Sequence, residues 1–398
     1  MLRISHATIF TPERQIRDGA VLVEGIWITE VGKDHEVSRP EGVQVLDADG
    51  LLLGPGFIEL QLNGAFGHDF SADPASIWRA AAGLPQFGVT AFLPTIVTSP
   101  PEIVEAAQDV VVSRVSPIAE GAVPLGLHLE GPFLNSEKKG AHDPAYLRKP
   151  DIGGVTDWSP DQGVRLVTLA PELPGSLELI TTLVNRGVVV SAGHSAATYV
   201  QAKSGIEAGI RYGTHLFNAM APLHQREPGV AVALLTDPRV VTGLICDGFH
   251  THPAMVKLAW QALGGRRLNL VSDAIAALGM PPGNYTVGEN RIVVDDTCSR
   301  LQDGTIAGSI VGLDGALRNL VAFAGCSLEE ALPSITSTPA ALLGLGAERG
   351  TIAPGRLADL VLLTQDLHVH TTVVAGEIVY RVARGTGSIS HARALDLI

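Results

Sequence analysis

LGLHLEGPF, residues 125–133, decides the fold: an apolar run that reads as a buried β-strand and ends on a carboxylate, Glu130, before a Gly-Pro turn. Three later runs end in the same manner. VVVSAGHS (188–195) reaches His194, YGTHLFNAM (212–220) reaches His215, and LNLVSDA (268–274) reaches Asp273. One carboxylate, two imidazoles and a final aspartate at strand C-terminal ends point to the shared mouth of a parallel barrel, where such folds place their chemistry.

Outward from that stretch, short apolar runs alternate with amphipathic ones between about residues 54 and 330. Eight strands are expected, at Phe57–Asn63, Val89–Val97, Leu125–Glu130, Val164–Ala170, Val188–His194, Tyr212–Phe217, Val241–Cys246 and Leu268–Asp273. Between them LELITTLVNRG, AATYVQAKSGIEAGI and PAMVKLAWQALGG repeat apolar residues every three or four positions, the helical period. Near-continuous apolar strands alternating with helices are parallel βα units buried on both faces. Eight of them close most simply into a (β/α)8 TIM-like barrel; an open doubly wound sheet is the alternative, but no GxGxxG follows a first strand. The two ends, 1–53 and 350–398, alternate apolar and polar positions and are expected to combine into one small β-sandwich domain beside a barrel of residues 54–349. A hairpin-like insertion, YTVGENRIVVDD to DGTIAGS, follows the eighth strand.

The bulk composition narrows the function. At 398 residues the chain suits a large barrel plus a satellite domain. A net charge of −13 argues against nucleic acid or an anionic membrane as partner, so an anionic substrate would need local cationic donors. No apolar run approaches the roughly 20 residues that span a bilayer, and MLRISHATIFTPERQ lacks the pattern of a secretory signal. Three widely spaced cysteines suggest neither a disulfide framework nor a CxxC site, and a reducing cytoplasm is expected.

Glu130, His194 and His215 are the expected metal ligands, a set suited to one divalent ion, Zn2+ or Fe2+ foremost and Co2+ or Mn2+ as alternatives. Singly, each could be a turn cap or a satisfied core residue; together at strand ends they read as a site. Asp273 reads as the general base that takes a proton from the attacking water and returns it to the leaving group, against the blander reading of a helix N-cap. Many barrel hydrolases end their first strand in His-x-His, but PGFIELQLNG places Gln61 and Asn63 there. Neutral amides are poor ligands, so one metal is expected and Gln61 is left to hydrogen-bond water. His142, in KKGAHDP, is a candidate for polarising a substrate carbonyl. Arg226 and His250 suit an anionic group, and His128 suits a packed layer below Glu130.

These segments together resemble the amidohydrolase superfamily, and within it the branch of deacetylases acting on N-acetylglucosamine 6-phosphate. PGFIELQLNG, HLEGPFLNSEKKGAHDP, SAGHSAATY, GTHLFNAMAPLHQREPG, CDGFHTHP, VSDAIAALGM, DGTIAGS and GTIAPGRLADLVLL carry the resemblance over nearly the whole chain. It implies that Glu130, His194 and His215 hold the metal, that Asp273 is the acid/base and that His142 orients or polarises the acetyl carbonyl. It further implies that Ala141, Asn218 and Ala219 contact the sugar and that Ile306, Ala307 and Gly308 line its pocket. The turn of Asp247, Gly248, Phe249 and His250, with Arg226, would meet the phosphate. A homodimer is implied too, with phosphate contacts from the neighbouring subunit, and the reaction would belong to amino-sugar catabolism or cell-wall recycling. The alternatives are a cyclic amide hydrolase, which would want His-x-His and a carboxylated lysine, and a non-catalytic scaffold that has lost its ligands.

Overall fold

The structure is a computed structural model that describes residues 1–113, 120–287, 290–295, 298–301 and 308–382. Eight parallel strands run in chain order around the barrel: β1 (Phe57–Leu62), β2 (Val89–Val97), β3 (Leu127–Glu130), β4 (Val164–Leu169), β5 (Val189–Ala192), β6 (Tyr212–Gly213), β7 (Val241–Ile245) and β8 (Leu268–Val271). The seam between β8 and β1 closes at the C-terminal ends, where Asp273 N donates to Gln61 O (2.9 Å) and Asn63 N to Ala274 O (2.8 Å). Lower in the seam a side chain completes the ladder. Both Glu59 carboxylate oxygens accept backbone N–H groups, from Gln61 (2.9 Å) and from Ser272 (2.9 Å). Burial pushes that carboxyl up to about 8.

Strand positions follow the apolar pattern, but several strands stop short of the residues expected at their ends. β5 ends at Ala192, β6 at Gly213 and β8 at Val271, whereas Glu130 alone of the four remains within its strand. The reason is conformational. His194 (φ 49°), His215 (φ 30°) and Asp273 (φ 48°) all take left-handed backbone, which ends the ladder and turns the chain across the mouth.

Helices return most strands to the next. Ser176–Asn185, Tyr199–Ala208 and Pro253–Arg267 realise the three helical patterns. Tyr199–Ala208 begins with a reciprocal capping box between Thr198 and Gln201. The return from β3 to β4 contains only 3-10 turns, including Ser136–Lys138 and Pro144–Tyr146, and this Gly/Pro-punctuated segment bears His142.

Strands from both termini join in one sheet, ordered Glu377–Arg381, Val369–Val374, Leu360–Leu363, Leu52–Pro55, Leu2–Phe10, Gln15–Glu24 and Trp27–Lys33, with Gln44–Asp47 also on Leu2–Phe10. Period-two alternation divides its faces: Val361 and Leu363 enter the main core with Phe57 and Phe92, while Leu360 and Leu362 pack with Ile4, Ile9 and Leu53. The fold is thus a TIM-like barrel with a small β-domain made from both ends. Residues 383–398, expected to be part of that domain, lie outside the described residues. The insertion after β8 is a three-stranded antiparallel sheet, and its Ile292 and Val294 pack on Ile275 and Ala277 of the loop that follows Asp273. Among the described residues no helix is long and apolar enough to cross a membrane.

Below the mouth lies a chain of buried polar groups. His128 Nε2 meets Thr168 Oγ1 at 2.8 Å, Thr168 meets Thr214 at 2.7 Å, and Ser191 meets Thr214 at 2.6 Å. Burial brings His128 down from 6.5 to about 4. Between those values the unfolded chain takes up a proton that the folded one refuses, so the contribution is present above 6.5 and is lost as pH falls towards 4. In His128→Gln the pH slope of stability across that window should be shallower by about one proton. Thermal melts at several pH values check this; an unchanged slope would contradict it.

Candidate active site

The turned strand ends aim three donors at one point. Glu130 Oε1 lies 3.0 Å from His194 Nε2 and 3.0 Å from His215 Nε2, and the two Nε2 atoms are 3.0 Å apart. All three residues are buried, and among the described residues they form the one cluster able to hold a metal ion. The donor set fits such an ion. Ligands of a tetrahedral ion with bonds of about 2.1 Å stand about 3.4 Å apart, close to this triangle's edges. His194 Nδ1 donates to the Lys138 carbonyl (2.8 Å), and because a carbonyl can only accept, Nε2 is left with a bare lone pair facing the centre. Burial opposes charge on Glu130, yet the adjacent His194 and His215 hold its carboxyl well below the usual range. Burial likewise opposes charge on His215, which the bond to Glu130 keeps above its ordinary value.

Gln61 and Asn63 take up places beside these groups as donors. Gln61 Nε2 donates to Glu130 Oε1 (3.1 Å), and Asn63 Nδ2 donates to Asp273 Oδ1 (2.7 Å). Two residues apart on one strand, they share a face, so one strand end orients both carboxylates. Burial and the Glu130 charge push Asp273 up to about 6, while His215, Asn63 and His250 act the other way. A carboxylate poised near neutrality suits a group that must both take and give a proton.

His142 is buried, although it sits on a loop. Its Nε2 lies 3.9 Å from Glu130 Oε2, and its ring meets that of His194 edge-on at 4.5 Å. Burial brings it down from 6.5 to about 3, so the ring is neutral near pH 7. His250 differs. Burial works against its charge, but the 2.6 Å bond from its Nδ1 to Asp247 Oδ2 raises it above the ordinary value. Asp247 Oδ1 also accepts the N–H groups of Phe249 and His250 (2.8 Å each), which fixes the turn containing Gly248.

The remaining candidates are distributed around this centre. Asn218 and Ala219 are half-buried just beyond His215, and Ala219 (φ 51°) gives its carbonyl to Ser195 N (3.2 Å). Ala141 is exposed next to His142. Gly308 has φ 117°, and an added Cβ would come 2.5 Å from the Ile275 side chain, so only glycine fits there. Ile306 and Ala307 lie outside the described residues. Arg226 is exposed on the loop between β6 and the following helix and has no ion pair among the described residues. The structure therefore brings Glu130, His194, His215, Asp273, His142 and Gln61 together and leaves Arg226 at the surface.

Sequence reasoning missed three contributors. The sequence presents Asn63 only as a missing ligand, though its shared face with Gln61 places it at the mouth. Thr98, directly after β2, gives its backbone N–H to His142 Nδ1 (3.2 Å) and is reachable by the same strand-end rule that finds Glu130. The Lys138 carbonyl leaves no trace in side-chain identity.

Residues 52–379 match the model of the amidohydrolase family. The N-acetylglucosamine-6-phosphate deacetylase of Homo sapiens is 40% identical over 393 residues, which cover 94% of this chain and 95% of the human one. The crystal structure of N-acetylglucosamine-6-phosphate deacetylase from Pasteurella multocida superposes with a TM-score of 0.89 at 33% identity, covering 95% of this chain and 99% of that one. A mutant of the Mycobacterium smegmatis deacetylase in complex with N-acetyl-D-glucosamine-6-phosphate superposes with a TM-score of 0.86 at 36% identity, covering 95% and 99%.

Proposed function

The chain belongs to the amidohydrolase family, among its N-acetylglucosamine-6-phosphate deacetylases, and from that premise we propose how its residues carry the reaction. It hydrolyses the acetamide of N-acetylglucosamine 6-phosphate to glucosamine 6-phosphate and acetate, a step of amino-sugar metabolism. The observation that carries the residue assignment is the convergence of Glu130, His194 and His215 beside an Asp273 held by Asn63.

Glu130, His194 and His215 would hold one divalent ion, with Zn2+ or Fe2+ favoured by the mixed carboxylate and imidazole set. When bound, such an ion supplies Lewis acidity, lowering the pKa of water from about 16 to about 7 and drawing charge from a carbonyl oxygen. Asp273 accepts the proton of the attacking water. His142 donates a hydrogen bond to the acetyl oxygen as charge builds on it. Asp273 then delivers its proton to the sugar nitrogen, which leaves as an amine. Gln61 keeps Glu130 oriented, and Ala141, Asn218, Ala219, Ile306, Ala307 and Gly308 would surround the sugar.

The phosphate would be met by His250, whose charge Asp247 favours, and by Arg226. An exposed arginine without an ion pair among the described residues fits phosphate capture in a homodimer, where the neighbouring subunit would supply such contacts. Three unpaired cysteines, Cys246, Cys298 and Cys326, support a reducing, cytoplasmic setting. Residues 1–53 with 350–398 are proposed as the small domain and 54–349 as the catalytic one.

Acetate release from the phosphorylated sugar, compared with the free sugar, tests the substrate. Arg226→Ala should raise KM for the phosphorylated sugar by about 10- to 100-fold and leave kcat within a few fold, since a charge-assisted hydrogen bond is worth about 1.5–3 kcal/mol. An unchanged preference for the phosphorylated sugar would remove Arg226 from the phosphate site.

A further inference from the structure

Two histidines at the mouth, 4.5 Å apart, have their ring protons fixed by backbone groups of opposite kind. At His194 the partner of Nδ1 is the Lys138 carbonyl, which can only accept. At His142 the partner of Nδ1 is the Thr98 backbone N–H (3.2 Å), which can only donate. A ring nitrogen that accepts from N–H holds no proton, so in His142 the proton belongs on Nε2. The Thr98 hydroxyl has one proton and two acceptors within reach, Nδ1 at 2.8 Å and the Glu130 carbonyl oxygen at 3.2 Å; with Nδ1 bare, the shorter contact takes it. Room for that hydroxyl comes from Gly131 (φ 101°), where an added Cβ would stand 2.1 Å from Thr98 Oγ1.

We propose that Thr98 is a positioning residue that holds His142 as its Nε2–H tautomer. His142 then offers the mouth a donor where its neighbour His194 offers a lone pair, so the ring can serve the acetyl oxygen and cannot compete as a metal ligand. The residue acts through its backbone N–H, fixed by its place just after β2, and through a hydroxyl whose one proton is given to the ring. The consequence for substrate rests on the reading of His142 as the partner of the acetyl oxygen.

The test has two parts. Ring-nitrogen NMR of histidine-labelled, metal-loaded enzyme, with His142 assigned by its loss in His142→Gln, should show Nε2 protonated and Nδ1 bare; a protonated Nδ1 would overturn the proposal. Kinetics then isolate the hydroxyl. Thr98→Val keeps the N–H and the side-chain shape, and should lower kcat about tenfold, the order of one hydrogen bond lost in the transition state, with KM within about twofold. Metal content should stay unchanged, and Thr98→Ser should restore the rate. A lower metal content in Thr98→Val would place Thr98 in the service of Glu130 and overturn the assignment, as would a raised KM with normal kcat. The ring assignment is read without turnover, so it is separable from the role of His142. Wild-type kcat in both His142→Gln and His142→Asn would overturn that role and the consequence for substrate, whichever tautomer is found.

Discussion

Asp273→Asn should fold and retain its metal while losing turnover by about 10³-fold, within the range ascribed to positioned acid–base groups. The substitution preserves shape, and the new amide oxygen can still accept from Asn63 Nδ2, now 2.7 Å from Asp273 Oδ1. In the proposed mechanism it removes the group that passes a proton from water to the departing nitrogen. His142 cannot replace it, because burial keeps that ring neutral down to about 3. Metal analysis and thermal melting should match the unsubstituted enzyme, with the loss confined to acetate release. A kcat near normal would remove Asp273 from the mechanism.

Glu130→Gln should have the other large effect, and through a different quantity. Glu130 Oε1 lies 3.0–3.1 Å from Gln61 Nε2, His194 Nε2 and His215 Nε2, so it is the hub of the triangle as well as one of its corners. An amide is a weak ligand, and it brings a donor N–H where the site requires only acceptors. We expect metal content after dialysis to fall below about a tenth of normal, with turnover down by about 10³-fold or more. Elemental analysis alongside the acetate assay checks it; full metal occupancy would contradict the ligand assignment.

The barrel was legible because strands buried on both faces are almost continuously apolar, as in Val89–Val97, and because the intervening helices keep the 3.6-residue period. The strand ends were less legible. Left-handed backbone at His194, His215 and Asp273 breaks the ladder early, and a run of apolar letters does not show where φ changes sign. The long return that carries His142 has no periodicity to read, since it is built from short turns. At the site, residue type and strand-end placement suggested the ligands and the base. Their supports, Asn63 on Asp273 and the Thr98 and Lys138 backbones on the two rings, depend on hydrogen-bond direction and appear only when the strands are brought together.

We propose that this deacetylase works with one metal ion per subunit, and metal titration of the chelated enzyme is the sharpest check. Acetate release from N-acetylglucosamine 6-phosphate should vanish on chelation and return in proportion to bound Zn2+, Fe2+, Co2+ or Mn2+, reaching its plateau at one ion per subunit. Undiminished release from metal-free protein, or a plateau only at two ions, would contradict it.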